Sequence, residues 1–214
     1  MFKYQQMFKT KFKIPILYLL LMVFGYVFQI LYPPLVNQLA LYPRHIHYAL
    51  GIITTVFLHA NIEHLSANFL PLAACLFGLF YFYEGISKRV LFLSHLLTGL
   101  LIWVFARPSF HIGASGLVYA LVFFILISGI IRNNKRLMVI AFIILVFQSG
   151  LIWGIVPQNN QVSWESHLLG AMVGVVLSFI FRNKGPKDET HPQWQDEEDD
   201  NNNDVYIEVL GNNK

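Results

Sequence analysis

Apolar positions along this chain gather into six long runs, at 14–32, 65–83, 90–106, 113–131, 137–155 and 163–181. Charged residues, proline and glycine punctuate the segments between them. Each run has 17 to 19 residues, near the roughly 20 that carry a helix across about 30 Å of hydrocarbon. No alternating period of the kind that marks a membrane barrel occurs. The pattern predicts an all-α membrane protein, a bundle of six transmembrane helices.

Three of the runs are interrupted by polar residues close to their starts: His59, His64 and Asn68 around the second, Ser115 in the fourth, and His167 in the sixth. At 1.5 Å per residue, the distance from the far end of each run places Asn68, Ser115 and His167 about 22 to 25 Å up, roughly 5 to 8 Å below one face of the hydrocarbon. The second, fourth and sixth runs point the same way through the layer, so the three side chains share a height. Packing alone does not ask for polar groups there, because interior polar residues are costly in lipid.

Charge orients the bundle. Of the 15 Lys and Arg residues only Arg44 and Arg107 fall in the odd-numbered connections, and the rest lie on the side that the positive-inside rule makes cytoplasmic. Both ends are therefore expected in the cytoplasm. The first run follows Lys3, Lys9, Lys11 and Lys13 but exceeds a signal-peptide h-region, and no small-x-small cleavage site follows, so it is expected to be a retained helix. The chain divides into a basic N-terminus at 1–13, a helical core at 14–182 and an acidic tail at 183–214, too polar to bury a core and expected to be disordered. Overall the chain is 56% hydrophobic and 13% charged, against about 25% charged for a soluble domain. The single cysteine, Cys75, excludes an intrachain disulfide and a cysteine-rich metal site.

The shared height suggests chemistry. Ser115 stands at a helix start, where free N–H groups and the positive dipole end favour a developing oxyanion. His167 offers the base that a hydroxyl nucleophile needs. His64 and Asn68, four apart, face one way and offer donors to the same oxyanion. Tyr119, one turn after Ser115, is placed to pack on the His167 ring, and Gly116, Gly170 and Gly174 allow close backbone approach. Glu165 points to the opposite face of its helix from His167, which suggests a dyad in place of a triad. Each residue has an ordinary alternative: Ser115 as a small packing residue, His64 and Asn68 as interhelical donors, His167 as a satisfied core histidine. A zinc site of His59, His64 and His167 lacks both an H-E-x-x-H pattern and a carboxylate to activate water. An aspartyl mechanism lacks any aspartate in a span. His45, His47, His95, His111 and His191 are expected to be bland.

Together, His59-x4-His64-x3-Asn68, Gly113-Ala-Ser115-Gly116-x2-Tyr119-Ala120 and His167-x2-Gly170-x3-Gly174 resemble the motifs of the rhomboid family of intramembrane serine proteases. The resemblance covers about residues 57–181. It implies Ser115 as nucleophile, His167 as general base and acid, and Tyr119 as the stacking partner of that base. It also implies an oxyanion hole from the Ser115 N–H with the His64 and Asn68 side chains, supported by His59 and the glycines, with no metal and no cofactor. Expected partners are single-pass transmembrane protein substrates and the lipid bilayer, not nucleic acid. The alternative is a catalytically silent relative that binds or escorts membrane clients. The chain departs from the family in the 33–58 loop, where Tyr42-Pro43-Arg44 stands in place of the common Trp-Arg pair. The bare six-span core resembles the simpler prokaryotic members, which implies a bacterial plasma membrane with the site opening to the extracytoplasmic side.

Overall fold

The computed structural model describes residues 11–147 and 163–186. Among the described residues every regular element is helical, apart from one isolated bridge between Leu41 and His111. Six long helices stand out: α1 (Lys13–Leu31), α2 (Ile62–Phe82), α3 (Ser87–Phe105), α4 (Ser115–Ile131), α5 (Lys135–Phe147) and α6 (Trp164–Ile180). The first three are 19, 21 and 19 residues long and apolar enough to cross a membrane; α4 and α6 are apolar and 17 residues each, about 25 Å. The remainder of the predicted fifth run, to 155, and nearly all of the acidic tail lie outside the described residues.

Helix starts differ from the apolar runs where the first turn is polar. α2 begins at Ile62 because Asn61, in extended conformation, caps the His64 N–H at 2.8 Å, so Glu63 and His64 are helical although hydropathy alone leaves them out. α3 likewise takes in Lys88 and Arg89. α4 begins at Ser115, two residues late, because Gly113 has φ +107° and cannot be helical.

Contacts sort into two ends. At one, Gln29 near the close of α1 brackets the backbone of His59 before α2, through a 2.9 Å bond from the His59 N–H and a second from its own amide to the His59 carbonyl. Gly113 meets His64 there as well. At the other end, Lys11 lies 3.8 Å from Glu84, and Arg132 gathers the carbonyls that follow α6. Successive helices therefore alternate in direction.

α4 is buried on every face from Gly116 to Val122, as an all-apolar helix requires, and it is the axis of the bundle. α6 packs most extensively on it. A Cβ at 170 would collide with the Gly116 carbonyl oxygen, and one at 174 with that of Ala120. Only glycine permits this approach. The pairings 116 with 170 and 120 with 174 rise together, so α4 and α6 run parallel. α1, by contrast, exposes Leu17, Leu20, Phe24 and Ile30, the face of a helix at the lipid boundary.

The 33–58 segment folds as a string of short helical turns pinned to the ends of α3 and α4. Arg44 donates to the Val104 and Ala106 carbonyls at 3.0 and 2.8 Å, capping the C-terminus of α3, where a cation is favoured.

Candidate active site

The N-terminal ends of α2, α4 and α6 converge on the turn His111–Ser115. Asn61 caps α2, and Ser163 caps α6 by accepting from the Ser166 N–H at 3.3 Å. The N-cap of α4 is Ala114, which has no capping side chain. Its first-turn N–H groups, with Ser115 at the first position, are left for something other than a cap. The three helices thus differ at the point where the chemistry was expected.

Two side chains of α2 face that start. The His64 ring lies where a Cβ on Gly113 would come within 2.7 Å of Nε2, and the Asn68 Nδ2 within 3.9 Å. The His64 Nδ1 accepts from the Ala60 N–H at 3.4 Å, so Nε2 carries the proton, and this donor is the one turned to Gly113. Asn68 is 2% exposed and spends one amide hydrogen on the His64 carbonyl at 2.9 Å, leaving the other. His59 packs edge-on against His64, ring centroids 5.1 Å apart. It is fully buried, and burial, helped by the neighbouring His64, pulls its pKa down to about 4.

On α6, the His167 ring stacks on Tyr119 with centroids 4.3 Å apart and planes within 10°. Such a pair contributes roughly 0.5–1.5 kcal/mol and fixes ring orientation. Tyr119 lies one turn after Ser115, so the imidazole is held beside the face of α4 that carries the serine. Glu165 is turned away, toward the Arg107 Nε at 3.4 Å. Among the described residues no group of three or more His, Cys, Asp or Glu is placed to hold a metal.

A cavity of about 20 Å³, room for one water, opens beside Ser115. Its polar lining includes Thr55, His95, Thr98, His111 and Ser166, none of which sequence reasoning singled out as functional. Of these, His95 is one of the histidines expected to be bland. It reaches the Ile53 carbonyl of the 33–58 loop at 2.9 Å and the Tyr18 hydroxyl of α1 at 2.6 Å. One sequence signal pointed this way: Ser94 and Thr98 stand four apart in an apolar run.

These features describe an integral membrane helical protein with a polar chamber at the meeting of three helix starts. The chain belongs to the rhomboid family, generally intramembrane serine proteases, since the Rhomboid domain model matches residues 46–184. It is similar to uncharacterised proteins of Mycobacterium tuberculosis and Mycobacterium bovis, each 34% identical over 141 residues, covering 61% of this chain and 58% of theirs. A Mycobacterium leprae protein, also uncharacterised, is 30% identical over 148 residues, 61% of this chain and 55% of its own. The chain thus matches under three fifths of the length of these relatives.

Proposed function

We propose that this chain is an intramembrane serine endopeptidase that cleaves single-pass membrane proteins within or beside their spans. The Ser115 oxygen attacks a substrate carbonyl carbon while His167 takes the hydroxyl proton. The tetrahedral oxyanion is held by the Ser115 N–H, the His64 Nε2–H and the Asn68 amide. Collapse expels the amine, which leaves with the proton from His167, and water then attacks the acyl-enzyme with His167 again as base. A substrate helix must unwind before its carbonyl can be presented, which favours segments with helix-breaking residues.

The observation that carries this reading is the start of α4: an uncapped helix N-terminus bearing Ser115, faced by His64 and Asn68, with the His167 ring stacked one turn along. We place the six helices across the membrane with both ends cytoplasmic and the chamber on the extracytoplasmic side, in a bacterial plasma membrane. Support comes from the alternation of helix directions. The parallel run of α4 and α6 supports the same reading.

Cleavage of a single-span substrate in proteoliposomes tests the chemistry. Wild type is expected to cleave, Ser115→Ala and His167→Ala to lose activity by at least about 10³-fold, and His64→Ala by about 10²-fold. Equal cleavage by wild type and Ser115→Ala refutes the mechanism. Client binding without cleavage, across several substrates, favours the silent escort instead.

A further inference from the structure

His111 stands in the loop between α3 and α4, four residues before Ser115, and is 4% exposed. Its backbone bridges Leu41 in both directions, at 3.2 and 2.8 Å, and its carbonyl also accepts from the Thr55 hydroxyl. The side chain looks across to α6. Nε2 lies 3.1 Å from the Arg107 carbonyl oxygen, which can only accept, so Nε2 carries the proton and Nδ1 is an acceptor. Nδ1 lies 2.7 Å from the Ser163 hydroxyl, which must therefore donate to it. The Ser163 oxygen in turn receives the Ser166 hydroxyl at 2.6 Å and the Ser166 N–H at 3.3 Å. The neutral imidazole thus sets the direction of both hydroxyl hydrogen bonds at the α6 cap, four residues before His167.

Resting on the peptidase reading, we propose that His111 is a positioning residue that joins the loop delivering Ser115 to the helix delivering His167, and that its protonation reverses the hydroxyl chain at that joint. With a proton on Nδ1 the imidazole becomes a donor to the Ser163 oxygen. The Ser163 hydrogen must then turn to the Ser166 oxygen, and the Ser166 hydrogen must find a new acceptor at the edge of the Ser115 cavity. The hydroxyl chain reverses. The charged groups facing His111 are Arg107 from its own loop and Glu165 from α6; the segments at Leu41 and Thr55 contribute neutral groups. Burial, with the Arg107 charge beside it, holds the imidazole below its usual pKa against the Arg107 carbonyl and Glu165, so the neutral form persists through neutral pH and the chain reverses in acid.

The test uses the full chain in proteoliposomes with a single-span substrate, measuring kcat, KM and their pH profiles from about pH 5 to 8. His111→Ala is expected to lower kcat about tenfold while KM changes less than about twofold, as for a misplaced reacting pair. Ser163→Ala is expected to match it, with the double variant no worse than either single one. His111→Gln keeps an acceptor for Ser163 and a donor for the Arg107 carbonyl but cannot titrate. It is expected to recover most of the lost kcat and to remove from the acid limb of log kcat/KM the extra fall, up to about tenfold, that protonated His111 adds in wild type. Thermal unfolding of each variant separates lost fold from lost positioning, and His111→Gln carries the test if His111→Ala does not fold. Cleavage that depends on Ser115, combined with wild-type kcat and an unchanged acid limb in both His111 variants, overturns the positioning role alone. Absence of any wild-type cleavage overturns the peptidase reading and the positioning role with it.

Discussion

Gly113 holds φ at +107° with the His64 ring against it, so any side chain here would be strained by its backbone and would displace the donor that faces Ser115. The neighbouring His59 is constrained in another way. It is fully buried, and its pKa falls from 6.5 to about 4, so the fold favours the neutral ring. Its contribution to stability is complete above pH 6.5 and is lost as pH falls toward about 4, because the unfolded chain takes up the proton first. The shift amounts to about 3 kcal/mol. Wild type is expected to melt several degrees lower at about pH 4.5 than at about pH 7.5, and His59→Asn to show a flatter dependence over that range. Scanning fluorimetry in detergent at both pH values decides the matter. Identical acid sensitivity in the variant would show that the proton goes elsewhere.

Among the elements, α6 is held at both ends, and the attachment at its C-terminus was the harder to foresee. In the sequence Arg132 counts only as one more positive charge in a connection. In the structure it is 8% exposed, and its guanidinium donates to the Phe181, Arg182, Lys184 and Pro186 carbonyls at 2.7 to 3.1 Å and to the Ser128 hydroxyl at 3.2 Å. A planar cation with five donors closes the C-terminus of one helix from the C-terminus of its parallel neighbour. Arg132→Ala leaves the buried Phe181 carbonyl and three part-buried ones without this donor and is expected to cost about 1–3 kcal/mol; Arg132→Lys, with a point charge and fewer donors, is expected to fall between. Denaturant titration in mixed micelles measures both, and a change below about 0.5 kcal/mol for the alanine variant removes the anchoring role. The apolar runs made the helices legible, since burial in lipid leaves hydropathy as the dominant signal. Polar first turns at Glu63 and Lys88, and the turns within 33–58, were not legible, because caps and local hydrogen bonds shape them and hydropathy does not see these.

At the scale of the whole molecule, the residues proposed to do chemistry stand out in the sequence because a polar group at a fixed depth in an apolar run has few structural reasons to exist. Their supports were hidden. His111, Ser163 and Thr98 are polar residues of ordinary kinds, given meaning only when α3, the loop and α6 meet. The same convergence bears on orientation. The ends of α2, α4 and α6 that carry the chamber are joined to the rest of the chain by segments holding few basic residues, while Lys88, Arg89, Lys135 and Arg136 sit at the opposite end. Such residues resist translocation and set topology. Single cysteines in a Cys75→Ala background test this, since Cys75 itself is buried. Ser109→Cys is expected to react with a membrane-impermeant maleimide in intact cells, and Lys88→Cys and Lys135→Cys only after permeabilisation. The reverse pattern would invert the protein and put the chamber on the cytoplasmic side. Reaction of Lys88→Cys and Lys135→Cys from different sides would mean that α3 and α4 do not both cross, and the six-span arrangement would fall with them.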